Sequence, residues 1–242
     1  MQQLMIGARK LGVELTAGQL AAFDTYRREL QDWNTRVNLT AVTDDTGIQI
    51  RHFLDSLSCL LAFRLSEACR PRADMRLIDV GAGAGFPGVP LKIVCPGLRL
   101  TLLEATGKKV RFLEYLCDQL DLDGVTVHHG RAEELGQDPV HREQYDWAMA
   151  RAVAEMSILA EYLLPLVRVG GVCLAQKGEN APAEVRAAER ALTLLGGQLA
   201  RLLPVELHGL AETRYLVLTE KVAPTPARYP RRPGVPAKRP IR

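Results

Sequence analysis

Residues 77–88 read LIDVGAGAGFPG, and this stretch decides the fold of the chain. It begins with the apolar pattern of a buried strand, which carries Asp79 near its end. Pro87 has the backbone angle that the start of a helix requires. Glycines between strand and helix let the backbone turn tightly and approach a ligand closely; there are four within eight residues, namely Gly81, Gly83, Gly85 and Gly88. The stretch therefore predicts a strand, a glycine turn and a helix, the first half of a nucleotide-binding βαβ unit.

The spacing of the glycines indicates the kind of ligand. Dinucleotide folds use G-x-G-x-x-G, in which the third glycine serves close helix packing near a pyrophosphate. Here Phe86 occupies that third position, which favours a ligand without a diphosphate. S-adenosylmethionine, an adenosine joined to an amino acid through a sulfonium, is such a ligand. The next apolar strand ends at Glu104, where a carboxylate is suited to accept both ribose hydroxyls.

Thr16 is the predicted N-cap of an amphipathic helix near the N-terminus. From Arg76 onward the chain alternates predicted strands and helices; these include strands at 76–80, 125–129 and 172–176 and a helix at 183–195. Such alternation predicts a parallel sheet with helices on both faces. Two final strands, 198–205 and 214–222, lack a helix between them and predict an antiparallel edge hairpin. This arrangement is typical of class I S-adenosylmethionine-dependent methyltransferases, so we expect a Rossmann-like α/β fold with a mostly parallel seven-stranded sheet. We divide the chain into an N-terminal helical extension (1–72), a methyltransferase domain (73–222) and a basic, proline-rich tail (223–242).

Composition narrows the class of protein. The chain is 47% hydrophobic and 24% charged, as in ordinary globular domains. It has no apolar run long enough for a membrane span and no signal peptide pattern. Five scattered cysteines without a C-x-x-C pair argue against a zinc site or a disulfide framework. We therefore expect a cytoplasmic protein without a metal site or a membrane partner.

The charge is distributed unevenly along the chain. The net charge is +3, but the last twenty residues hold six basic and no acidic side chains, so the remainder carries −3. A basic, proline-punctuated tail on a mildly acidic body indicates a polyanionic partner.

Ligands of open α/β sheets bind beyond the carboxyl ends of the strands, so the residues that follow each strand are the candidates. Glu133 is suited to accept the adenine amino group, and Arg151 to face a carboxylate or phosphate. Other interpretations stay open, since Glu133 also fits a solvated helix turn and Arg151 also fits a pair with Glu155. The predicted cofactor residues are Asp79, Gly81, Gly83, Gly85, Phe86, Glu104, Ala105, Thr106, Ala132, Glu133 and Arg151.

Features that are missing from the sequence restrict the chemistry. The loop after the fourth strand reads Ala150-Arg151-Ala152-Val153, whereas methyltransferases of exocyclic amines have an Asn/Asp-Pro-Pro-Tyr/Phe loop there. None of the cysteines stands in the Pro-Cys or Thr-Cys loop that carbon-5 pyrimidine methylation uses for covalent attack. A ring nitrogen such as guanine N7 already has an exposed lone pair and needs no base. The sequence identifies no catalytic residue, and alignment of two reactants in a dry pocket would suffice for that chemistry.

Several motifs together resemble one family, the bacterial 16S rRNA guanine-N7 methyltransferases known as the RsmG or GidB family. The resemblance extends over nearly the whole chain. It is carried by Asn38-Leu39-Thr40, Arg51-His52-x-x-Asp55-Ser56, the stretch from Asp79 to Gly88, Gly107-Lys108-Lys109, Ala150-Arg151-Ala152 and the tail motif Tyr229-Pro230-Arg231-x-x-Gly234-x-Pro236-x-Lys238.

The resemblance implies methyl transfer from S-adenosylmethionine to N7 of one guanine in the decoding region of 16S rRNA. The substrate would be the rRNA, within a small ribosomal subunit or an assembly intermediate, and the enzyme a monomer. In that family the cofactor contacts fall on the loops chosen above. Charge and position add candidate RNA contacts, which are Asn38, Arg51, His52, Arg228, Arg231, Arg232, Lys238 and Arg239.

Three other functions remain open from the sequence. A methyltransferase of a protein or small molecule fits the fold but not the basic tail. A non-catalytic RNA-binding module fits the tail but not the intact glycine turn with Glu104. A nicotinamide dehydrogenase is disfavoured by Phe86.

Overall fold

A seven-stranded sheet forms the centre of the protein in the computed structural model, which describes residues 1–64 and 74–242. The strand order is β3-β2-β1-β4-β5-β7-β6; β1 to β5 run parallel, and β7 is antiparallel to both β5 and β6. This confirms the predicted fold class with its antiparallel edge hairpin. The strands are β1 (Arg76–Val80), β2 (Arg99–Glu104), β3 (Val125–His129), β4 (Tyr145–Arg151), β5 (Val167–Lys177), β6 (Gly197–Val205) and β7 (Arg214–Lys221).

Helices cover both faces of the sheet. In chain order they are α1 (Gln2–Lys10), α2 (Ala17–Asn34), α3 (Asp45–Gly47), a π-helical stretch (Ile48–Leu54), α4 (Asp55–Leu57), α5 (Cys59–Phe63), α6 (Gly88–Val94), α7 (Gly107–Gln119), α8 (Ala132–Leu135), α9 (Met156–Leu163), α10 (Ala181–Ala187), α11 (Glu189–Leu194) and α12 (Val235–Lys238). None of these described helices is both long and apolar enough to cross a bilayer.

The sheet topology places the glycine turn at the centre of the molecule. Strand β1 lies between β2 and β4, and the chain order reverses there. In doubly wound sheets this switch point is where the loops diverge and leave a crevice for a ligand. The turn of residues 81–87 leaves β1 at that crevice.

The N-terminal helices belong to the same core as one face of the sheet. Helix α2 begins at a capping box, in which Thr16 accepts from the Gln19 amide and the Gln19 side chain accepts from the Thr16 amide. Its buried residues Phe23 and Tyr26 join one hydrophobic cluster with Leu77 and Trp147 of the sheet. The predicted boundary between residues 72 and 73 lies outside the described residues, so the division into domains stays a prediction.

Side chains alternate across β1 and divide the interior into two clusters. Leu77 joins the cluster that includes the N-terminal helices, while Ile78 and Val80 join a second cluster with α9 and the tail residue Tyr229. The sheet is therefore covered on one face by the N-terminus and on the other partly by the tail.

Several elements differ from the sequence-based expectation. Strand β5 begins at Val167, five residues before the predicted start, because the pair Gly170-Gly171 lies within an irregular pairing with β4 and does not end the strand. The predicted helix 183–195 is two short helices, α10 and α11. Helix α1 lies within the predicted helical extension, whereas helix α12 lies in the tail, where no helix is predicted.

The tail is packed against the body. Arg142 donates hydrogen bonds to the carbonyls of Thr225 and Tyr229, each at 2.7 Å. Arg231 makes a bidentate ion pair with Glu161 of α9, with Nη2 2.6 Å from Oε2 and Nε 2.9 Å from Oε1, and its amide also donates to Oε1. Glu161 is completely buried. This carboxylate is therefore a fixed anchor for the tail.

We predict that Arg231→Met destabilises the fold by about 3–5 kcal/mol, because it leaves the buried Glu161 carboxylate without its cation. Chemical denaturation of full-length protein measures this free energy of unfolding. Arg232→Met is the matched control, since Arg232 is the exposed neighbour and its loss should change stability by less than about 0.5 kcal/mol. Equal effects of the two changes would contradict the anchoring role of Arg231.

Candidate functional site

The three glycines at alternate positions of the turn have different surroundings. Gly81, Gly83 and Gly85 all have positive φ, at +72°, +60° and +98°. A Cβ on Gly85 would lie 2.7 Å from the Tyr26 hydroxyl, so this glycine is required by packing against α2. A Cβ on Gly83 would meet nothing closer than the Gly81 carbonyl oxygen at 3.9 Å. The backbone at Gly83 therefore faces open space that a ligand can fill.

Glu104 connects the glycine turn to the loop after β2. One oxygen accepts from the Gly83 amide at 2.9 Å and the other from the Thr106 amide at 2.7 Å. Each carboxylate oxygen can accept a second hydrogen bond. The predicted residues Gly83, Glu104 and Thr106 thus meet at one point, and Glu104 keeps acceptor capacity for a ligand with paired hydroxyls.

Asp79 is fully buried at the end of β1. Its Oδ2 accepts from the Gly88 amide at 2.8 Å, while its Oδ1 has no hydrogen-bond donor within the described part of the chain. Burial raises the pKa of Asp79 to about 7; the Gly88 amide and the charge of Arg151 oppose the rise, and Glu104 adds to it. A buried, unpartnered carboxylate oxygen beside the turn suits a ligand that brings a cation or an N–H donor.

The predicted adenine contacts lie at the start of α8. Ala132 and Glu133 are both buried. Glu133 Oε1 accepts from the amide of Gly234 at 2.9 Å, so a residue of the tail reaches this part of the crevice. Ala105 is exposed next to Glu104, and its carbonyl lies 3.1 Å from His129 Nε2.

Arg151 is the last residue of β4, and among the described residues it pairs with Asp55 instead of Glu155. The distance from Arg151 Nη1 to Asp55 Oδ2 is 2.9 Å, and Nη1 also donates to the Arg51 carbonyl at 3.1 Å. The guanidinium carbon lies 4.8 Å from the centre of the Phe86 ring. Arg151 therefore joins the glycine turn to α4, and its role as a cofactor contact stays a prediction.

His52 lies in the π-helical stretch and stacks on Phe86, with ring centres 4.6 Å apart. Its Nε2 lies 2.7 Å from the Thr40 hydroxyl. Burial, together with the charge of Arg151, lowers the pKa of His52 to about 4. The imidazole is therefore neutral at physiological pH. π-Helical turns recur at functional sites, and this one presents Arg51 and His52 together.

A second pocket of about 670 Å³ opens beside the turn, on the side of His52 and Arg151. Sequence reasoning missed most of its lining. Most of the omitted residues stand where β5 ends and β7 begins, while Asp55 stands in α4. Extending the strand-end rule to β5 would have found Gln176 and Lys177. The lining residues used below are Arg51, His52, Asp55, Arg151, Gln176, Lys177, Glu179, Glu212 and Arg214.

The predicted RNA contacts occupy different surroundings. Asn38, Arg228, Arg232, Lys238 and Arg239 are exposed. Arg51 lies 3.7 Å from Glu212 at the rim of the second pocket, and His52 is mostly buried. Arg231 is paired with Glu161, as described above. Its guanidinium is therefore not a free cation that would support its predicted contact with RNA. Among residues 1–64 and 74–242, no cluster of three or more His, Cys, Asp and Glu side chains is placed to hold a metal ion.

The chain is similar to known proteins of one family. Residues 19–208 match the family model described as rRNA small subunit methyltransferase G. The chain is 52% identical over 241 residues to the ribosomal RNA small subunit methyltransferase G of Roseiflexus sp. (strain RS-1), covering all of both chains. It is 46% identical over 241 residues to the protein of the same name from Dehalococcoides mccartyi (strain CBDB1), again over the full length of both.

Solved structures agree on the fold. The M. jannaschii TYW2 structure in complex with AdoMet superposes with a TM-score of 0.51 at 13% identity, covering 64% of this chain and 73% of that one. At this identity the likeness concerns the fold.

We predict that Gly83→Ala weakens binding of S-adenosylmethionine by at least about tenfold, because the methyl group enters the open space at the turn. Titration calorimetry measures the affinity. Gly124→Ala is the matched control: Gly124 has a similar φ of +67° and room for a Cβ, with nothing closer than 3.6 Å, but it precedes β3. Both changes should cost about 1–2 kcal/mol of stability. Unchanged affinity in Gly83→Ala would remove the turn from the cofactor site.

We predict a pH-dependent stability gap between the wild type and Asp79→Asn. Because the pKa of Asp79 is raised to about 7, the folded state holds a proton that the unfolded state releases above about pH 4. The wild type should therefore lose stability relative to Asp79→Asn as the pH rises from about 4 to about 7, and the gap should then stay constant. Unfolding measured from pH 4 to 9 tests this, with the exposed Asp118→Asn as control. A gap independent of pH would contradict the raised pKa.

Proposed function

The chain belongs to the rRNA small subunit methyltransferase G family, and from this premise we propose that it transfers a methyl group from S-adenosylmethionine to N7 of one guanine in 16S rRNA. One observation carries the proposal. The crevice with the acceptor Glu104 and the open backbone at Gly83 adjoins a second pocket, and Phe86, His52 and Arg151 form the contact between the two.

The residues of the crevice fit the parts of this cofactor. Glu104 supplies acceptors for the ribose hydroxyls, and Ala132 and Glu133 lie where the adenine would bind. Gly83 leaves room beside the backbone, and the free oxygen of Asp79 suits the amino group of the methionine moiety. When bound, the cofactor supplies a methyl group on a sulfonium, which is electrophilic without further activation.

The remaining residues position the second reactant. Guanine N7 has a lone pair in the plane of the ring, so attack on the methyl group needs no deprotonation. His52 is neutral and hydrogen-bonded to Thr40. Lys177 is 2.6 Å from Glu184 and donates to the Ala154 carbonyl. His52 and Lys177 are thus held in other contacts, and attack by N7 needs no base. The pocket contributes by aligning the reactants and excluding water.

The exposed cations support an RNA partner. Arg232, Lys238 and Arg239 lie on the surface of the tail, and Arg51 and Arg214 line the second pocket. Phosphate contacts from such side chains give salt-dependent affinity. A target base that stands in a loop can be splayed out of its stack and enter the pocket. We infer that the chain acts in the cytoplasm as a monomer on 16S rRNA, within a small subunit or an assembly intermediate.

The test is to map the product. Small ribosomal subunits from a strain that lacks the gene are incubated with the purified protein and labelled S-adenosylmethionine. The modified nucleotide is then located by mass spectrometry of RNase fragments and by chemical cleavage specific for N7-methylguanine. We expect one N7-methylguanine in 16S rRNA, and label above background in ribosomal proteins or at another base atom would contradict the proposal. Large subunits are the control substrate.

A further inference from the structure

The second pocket contains acceptors that lack donors. Asp55 Oδ1, Gln176 Oε1 and Glu212 Oε2 are buried atoms with no hydrogen-bond partner among the residues that the structure describes. All three residues line this pocket. Asp55 is 4% exposed and Gln176 is 6% exposed. Arg214 Nε lies 3.6 Å from Asp55 Oδ1, which is an ion-pair distance but too long for a hydrogen bond.

Buried acceptors without partners cost free energy, and native proteins normally avoid them. A ligand that brings N–H donors removes this cost. The carboxylate of Asp55 is held in place, because its other oxygen pairs with Arg151 at 2.9 Å. Asp55 Oδ1 is therefore fixed next to Arg151, which contacts Phe86 at the glycine turn.

The orientation of the Gln176 amide follows from its neighbours. Its Nε2 donates to the Asp55 carbonyl at 2.7 Å. A carbonyl oxygen accepts only, so the nitrogen of the amide must face it, and the amide oxygen is left as the free group. The Asp55 and Gln176 side chains thus supply two acceptors, one held by Arg151 and the other by the Asp55 carbonyl.

The nucleobases differ in how they would satisfy two adjacent acceptors. Guanine has two neighbouring donors on its Watson–Crick edge, the N1–H and the 2-amino group. Adenine has an acceptor at N1 and cytosine an acceptor at N3, and either would face an acceptor of the protein. Uracil has one N–H between two carbonyls.

We propose that Asp55 and Gln176 select the target guanine by accepting hydrogen bonds from its N1–H and 2-amino groups. Flipped bases are commonly read on this edge. These bonds leave N7, which belongs to the other ring, free to face the methyl donor. The inference rests on the proposed function and adds the residues that set its base specificity.

The experiment compares guanine with inosine at the target position. Inosine keeps N7, O6 and N1–H and lacks only the 2-amino group. Small subunits are reconstituted from 16S rRNA assembled by ligation with either base at the mapped position, and kcat/KM is measured for the wild type, Asp55→Asn, Gln176→Met and the control Glu179→Gln. Glu179 lines the same pocket but is exposed.

We expect the wild type and Glu179→Gln to prefer guanine over inosine by roughly ten- to hundredfold, since inosine leaves a buried acceptor unpaired. In Asp55→Asn the amide oxygen stays with the Arg151 donor, so an NH2 group replaces the free oxygen, and Gln176→Met removes the amide oxygen. The variant that loses the acceptor of the 2-amino group should have a lower rate on guanine and a ratio of about one. A change that only damaged the fold would lower both rates and keep the ratio.

Two results would overturn the inference: equal rates of the wild type on guanine and inosine, or an unchanged ratio in both variants. Neither result would contradict the proposed function. That function fails only if the wild type does not methylate guanine N7. Thermal unfolding and calorimetry with S-adenosylmethionine on each variant show whether folding and the cofactor crevice are intact.

Discussion

The stacking of Phe86 is the contact on which the rest of the site depends. Its ring lies parallel to that of Tyr26 at 5.2 Å and stacks on His52 at 4.6 Å, with Arg151 above it. Tyr26 also donates to the Ala84 carbonyl at 2.5 Å. The glycine turn is therefore fixed by two helices from the N-terminal region, and a flexible backbone sequence adopts one conformation because aromatic side chains from elsewhere hold it.

The same contacts join the two pockets. Arg151 lies over Phe86 on one side and pairs with Asp55 on the other, so one side chain contacts both the turn and the lining of the second pocket. The tail adds a third connection, because Gly234 donates to Glu133 while Arg231 is anchored at Glu161. The predicted cofactor residues, the lining of the second pocket and the tail are thus connected by direct side-chain contacts.

The sequence predicts the sheet well because its signals are local. Strand β1 and strand β3 have the predicted bounds, Thr16 caps α2, and Glu104 stands beside Gly83 as strand-end reasoning requires. The partner of Arg151 could not be predicted, since Asp55 lies 96 residues away and Glu155 was the local choice. For the same reason the ion pair of Arg231 with Glu161 was missed, and a tail identified by its charge turned out to be partly structural.

The charged residues of the tail and those of the second pocket therefore indicate different kinds of contact. Basic residues in a sequence indicate a polyanion only if their cations are free, and Arg231 is held by a buried carboxylate. Arg151 likewise forms an ion pair with Asp55 and donates hydrogen bonds to two backbone carbonyls. The second pocket also contains acceptors without hydrogen-bond donors among the described residues, including Asp55 Oδ1 and Gln176 Oε1. In the proposed function, long-range attraction of the RNA depends on exposed arginines and lysines. The proposed choice of base depends instead on neutral and negative oxygens, which a base edge with hydrogen-bond donors satisfies.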